Sequence, residues 1–211
     1  MEAKVKREST VVLVHDVLND FIDPTAPGYD PALEAVLANI VTLLGAAREA
    51  GFQVVFIGSG QGDPEIGPSY PPDEPPERLA WGTPGCDLPA MLGQLPGEPV
   101  IRKPRWGGFY GSNLAAYLKE RGVDTMVICG LSLPGGVDWT VRDAFNRDLR
   151  SVIVADACLT RPLPDQGWGA IPREEVRRVI CTIMAQRFAR VVDTTAICAE
   201  LREAALVAGR G

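Results

Sequence analysis

Three places in the 211-residue sequence carry residue types that do chemistry. Asp16 follows the apolar run TVVLVH, Lys103 and Arg105 follow PVIR, and a glycine-bearing turn, Gly130 to Gly136, follows TMVIC. A carboxylate, an ammonium group and backbone N–H groups at a helix start can together move a proton and stabilise an oxyanion. Gly135 and Gly136 supply the candidate oxyanion donors. The bland alternative for Asp16 is an ion pair or a loop cap. His15 is the only histidine. Neighbours along a strand face opposite ways, so if Asp16 faces a cleft His15 faces away and reads as a packing residue. One histidine also leaves a multi-histidine metal site short of ligands. Ser132 sits in the turn without a base beside it in sequence. Cys129 and Cys158 read as small core residues, and Asn19 and Asp20 as loop caps.

The elements that must position these residues follow from the apolar periodicity. Buried strands are expected at Thr10–His15, Gln53–Ile57, Pro99–Arg102, Thr125–Cys129, Val152–Ala155 and Phe188–Val192. Helices are expected from about Asp30 to Gly51, and over Ser112–Arg121, Gly136–Leu149, Pro172–Met184 and Thr194–Leu206. Alternating strands and helices imply a single α/β domain over residues 1–211. Its expected architecture is doubly wound and three-layered, α/β/α, around a six-stranded, mostly parallel sheet. Such sheets hold ligands beyond the carboxyl ends of their strands, which is where Asp16, Lys103 and the Gly130 turn lie. Residues 59–99 hold ten of the 18 prolines. That density excludes a long helix or inner strand, and with Trp81 and Cys86 the segment reads as an ordered covering loop.

Composition removes several function classes. Hydrophobic residues make up 46% and charged residues 23%, the net charge is −6 and the pI is about 4.9. No cluster of Lys and Arg marks a nucleic-acid footprint. No apolar run reaches the ~18 residues that cross a bilayer, and no signal peptide is expected at the N-terminus. Five cysteines without a CxxC pair argue against a zinc ribbon and fit a reduced, cytoplasmic protein.

VLVHDVLNDFID, IRKPRWGGFYGSNL and ICGLSLPGGVDWTVRDAF, with VIVADAC behind them, resemble the ordered blocks of the isochorismatase-like (cysteine hydrolase) superfamily over residues 10 to about 195. In its hydrolases an Asp, a Lys and a Cys form the site. Asp16 and Lys103 match the first two, and the cysteine position falls on Gly136. The resemblance therefore implies a hydrolase without a thioester intermediate, acting on a small carboxylated metabolite. Its isochorismatases, which also carry Gly there, cleave an enolpyruvyl ether. By that template a protonated Asp16 delivers a proton to carbon, Lys103 and Arg105 bind substrate carboxylates, and Gly136 leaves room for substrate or water. Trp106, Phe109, Ser132 and Gly135 would line the pocket. Isochorismatases tend to have a TAQP-like turn after strand 2, where this chain has IGSGQGDP with Gln61 shifted. The alternatives are a C–N (amide) hydrolase with another nucleophile and a catalytically inactive small-molecule-binding relative. The same resemblance implies a homo-oligomer (dimer or tetramer); no nucleic-acid or membrane partner, no metal and no cofactor is expected.

Overall fold

Every position of Thr10–His15 (β1) is buried, as a strand covered on both faces requires. The computed structural model describes residues 5–26, 29–61 and 79–208. The remaining strands are Gln53–Ser59 (β2), Val100–Lys103 (β3), Thr125–Leu131 (β4), Arg150–Leu159 (β5) and Arg190–Val192 (β6). They form one sheet in the order β3-β2-β1-β4-β5-β6, and every pairing is parallel. β1 lies between β2 and β4, where the winding direction reverses, so the crevice at its carboxyl end is the place this topology reserves for a ligand.

The helices are Asn19–Ile22 (α1), Leu33–Glu49 (α2), Leu114–Glu120 (α3), Asp138–Phe145 (α4), Arg173–Arg187 (α5) and Thr194–Ala208 (α6), and they cover both faces of the sheet. In α2 the residues Leu33, Val36, Leu37, Ile40 and Leu44 recur at helical spacing and are all buried. α2 packs on α6 and on β5. Among the described residues, Lys103 is the charged member of the largest fully buried side chains, which are otherwise apolar.

Several element ends differ from the sequence expectation. β5 runs to ten residues rather than four, because Asp156 and Cys158 interrupt the apolar pattern without ending the strand. The helix expected from Gly136 begins at Asp138, after a wide turn over Leu133–Val137 in which the Val137 N–H donates to the Ser132 carbonyl at 3.2 Å. α3 begins at Leu114, and Ser112 accepts a hydrogen bond from the Leu114 N–H at 3.3 Å. α5 extends three residues beyond Met184.

Much of the expected covering loop, residues 62–78, falls outside the described residues. Its described part, 79–99, folds into two short 3-10 turns, Pro84–Cys86 and Ala90–Leu92, and buries Cys86. Asn19 and Asp20 tie it down. Asn19 Nδ2 donates to the Pro84 carbonyl at 2.7 Å, and Asp20 Oδ2 accepts from the Leu79 N–H at 2.6 Å.

Candidate active site

β1 ends in an unusual conformation. Asp16 has φ +53°, the left-handed region that few non-glycine residues adopt. Its N–H donates to the Ile57 carbonyl at 2.8 Å, fixing this turn against β2. Side-chain alternation therefore stops at His15, and the carboxylate swings back to the imidazole: His15 Nδ1 lies 3.3 Å from Asp16 Oδ2. The expectation that the two residues face opposite ways is overturned, because it assumed extended backbone at both.

Three strand ends converge on the Asp16 carboxylate. Oδ1 accepts the Ser59 N–H at 2.7 Å, from the end of β2. Oδ2 accepts from Lys103 Nζ at 2.7 Å, from the end of β3, and from the Ser59 hydroxyl at 3.1 Å. Lys103 Nζ also donates to Ser59 Oγ at 2.6 Å and to the Arg105 carbonyl at 3.0 Å. An ammonium group has three protons, and all three are engaged. Lys103 is fully buried and does not line the cavity. Its expected role as a substrate-carboxylate ligand gives way to that of a buried counter-charge.

Burial alone would raise the Asp16 carboxyl. Lys103 outweighs it by charge and by its hydrogen bond, with His15 Nδ1 also hydrogen-bonded beside it, and the carboxyl is held well below the usual carboxylate range. Burial likewise pulls the Lys103 ammonium down, against Asp16. A carboxyl group lowered in the folded state stabilises the fold fully above its unfolded value, ~3.9. That contribution is lost as pH falls through the lower, folded value. Wild type is expected to lose stability in acid more steeply than Asp16→Asn, so that their urea midpoints converge below about pH 4. Parallel curves down to acid unfolding would show that Asp16 is not held ionised.

A cavity of about 320 Å³ opens at this edge, lined by Asp16, Arg105, Trp106, Ser132, Gly135 and Gly136. Six expected site residues thus meet in one place. Phe109 does not join them: it is buried in the core, 4.7 Å beneath the Arg147 guanidinium. Trp106, half exposed, stands 6.0 Å from Trp139. The Arg105 guanidinium lies 5.5 Å from the Tyr110 ring. Gly135 is withdrawn as an oxyanion donor, since its N–H donates to the Ser132 carbonyl at 3.0 Å.

Two polar residues of this site escaped the sequence reading. Ser59 ends β2, and Arg161, exposed at the cavity wall, lies just beyond the end of β5. The strand-end rule that selected Asp16 and Lys103 would have selected both, had it been applied to these two strands.

Gly136 does not leave the space expected of it. A Cβ built there would lie 2.2 Å from His15 Cε1, so the imidazole fills that volume. No cysteine stands in for a missing thiol. All five lie among the described residues, and none lines the cavity. Burial pushes the Cys86 and Cys129 thiols up to about 12 each, and the Cys158 thiol well above its usual range. These are packing residues and not thiolate nucleophiles.

Comparison with known proteins agrees with this architecture. Residues 10–196 match the family model described as "Isochorismatase domain". The ureidoacrylate amidohydrolase RutB of Methylorubrum extorquens is 31% identical, over 71% of this chain and 69% of that protein. An isochorismatase family protein of Escherichia coli O157:H7, YecD, is 34% identical over 74% of this chain and 82% of its own. Among solved structures, a cysteine hydrolase from Pseudomonas syringae pv. phaseolicola 1448A superposes with a TM-score of 0.84 at 25% identity, covering 96% of this chain and 97% of that one.

Proposed function

The chain belongs to the isochorismatase domain family, and from that premise we propose that this family hydrolase cleaves a C–N bond in a small carboxylated amide or ureide by direct attack of water. No covalent bond to the enzyme forms. The observation that carries this reading is the ionised Asp16, locked between Lys103 and Ser59 at the cavity edge. A carboxylate held ionised well below its usual range has no proton to deliver to carbon, which disfavours ether cleavage by acid catalysis and leaves attack by water on a C–N substrate. The name of one relative, ureidoacrylate amidohydrolase, points to the same bond class. Arg161 and Arg105 border the cavity and supply positive charge for a substrate carboxylate. The cavity volume suits a small metabolite.

A second reading is hydrolysis of an enolpyruvyl ether with Asp16 as general acid. Gly136 favours it, because that reaction needs no thiol. It requires that a bound anionic substrate offset Lys103 and protonate Asp16.

A mass-spectrometric screen separates the readings. Wild type and Asp16→Asn are offered 3-ureidoacrylate, N-carbamoyl amino acids, small amides and isochorismate. Turnover of a C–N substrate is expected in wild type, with a loss of about 100-fold or more in Asp16→Asn. Turnover of isochorismate alone would replace this reading with the second. Binding of panel members without any turnover would identify a non-catalytic relative.

A further inference from the structure

Beside the carboxylate lies a buried nitrogen that the described residues leave without a partner. Asp16 accepts from the Ser59 N–H, the Ser59 hydroxyl and Lys103, and stands 3.3 Å from His15 Nδ1. An ionised carboxyl has about four lone-pair sites, so little capacity remains for a proton from water. His15 is the reverse case. Nδ1 lies 3.0 Å from the Leu131 carbonyl, which can only accept, so Nδ1 carries the hydrogen. In the neutral ring Nε2 is then a bare acceptor. It is buried and has no hydrogen-bond partner among the described residues.

Position gives that atom a role. The ring occupies the volume into which a side chain at position 136 would project, with each ring nitrogen 2.9 Å from the place of its Cβ. Gly136 lines the cavity, and the imidazole packs against it. Buried polar atoms in folded proteins find a partner, and Gly136 is the residue through which this ring adjoins the cavity.

We propose that His15 is the proton acceptor of the hydrolytic step, with Gly136 letting the imidazole close up to the cavity wall, where Nε2 meets the attacking water, and with Asp16 partnering Nδ1. This rests on the C–N hydrolysis reading above. As the water oxygen bonds to the substrate carbonyl carbon, one water proton passes to Nε2 and the C=O electron pair moves onto oxygen. The imidazolium so formed lies beside the Asp16 carboxylate, which offsets its charge. On collapse the C=O re-forms, the C–N bond breaks, and the proton passes from Nε2 to the leaving nitrogen. Water is consumed, and an acid and an amine are released.

His15 is the only histidine of the chain, so imidazole ¹⁵N resonances report on it without assignment. NMR of protein labelled at histidine is expected to show the Nδ1–H tautomer with Nε2 unprotonated. An Nε2–H tautomer overturns the proposal. His15→Gln, which keeps bulk and polarity, is expected to lower kcat about 100-fold with KM little changed. Activity near wild type in that variant overturns it, because a packing role survives the exchange. In His15→Gly, confirmed as folded by circular dichroism, added imidazole is expected to restore turnover, and no recovery overturns the proposal. The tautomer measurement needs no substrate. A bare Nε2 with no amide turnover counts against the bond class, whereas amide turnover with a protonated Nε2 counts against His15 alone.

Discussion

Lys103→Met is expected to lower stability by about 3–5 kcal/mol, the cost of removing one partner from a buried ion pair. The stem of the side chain is retained, so lost packing contributes little. What remains is a carboxylate at 6% exposure with its cation gone and only Ser59 and His15 beside it. Urea unfolding measures the loss. Pairing the change with Asp16→Asn is expected to recover part of it, since the stranded charge is then removed with its partner. A loss below about 1 kcal/mol in the single variant would place the pair with solvent-screened surface bridges, which it does not resemble in burial.

Gly136→Ala is the second large effect. The added methyl would sit 2.2 Å from His15 Cε1. The ring cannot swing aside freely, because Nδ1 is held by Leu131 and the residue is fully buried. Overpacking of this kind costs about 1–3 kcal/mol. Gly136→Cys meets the same clash and is expected to yield a destabilised protein rather than a fast-labelling thiol, as iodoacetamide would show. A double-mutant cycle isolates the contact: Gly136→Ala in the background of His15→Ala is expected to cost less than in wild type. Equal costs in both backgrounds would show that the ring gives way without effort.

The fold was legible because its central strands are long apolar runs. TVVLVH and TMVIC have no other place than the middle of a covered sheet, and both are there, side by side. The edges were harder. Asp156 and Cys158 within β5 hid half of that strand, and the turn at Leu133–Val137 took the place of helix that an apolar pattern alone cannot distinguish. In the site, Asp16 and Gly136 could be placed from strand ends and motif spacing. Lys103 was identified but its setting was not, since a sequence gives no sign that all three ammonium protons are engaged internally. His15 was misread for a reason that lies in one dihedral angle. The period-two rule is sound for extended backbone, and the left-handed turn at Asp16 ends its reach one residue early.

The contact between His15 and Gly136 also orders the routes by which a lineage can change its chemistry. A thiol at position 136 and an imidazole at position 15 compete for one volume, so the two chemistries are separated by two substitutions and not one. Acquiring the cysteine first runs into the ring, whereas trading the histidine for a smaller residue first leaves only a void. The fitness of each change depends on whether the other has occurred, and the passable path runs through loss of the imidazole before gain of the sulfur.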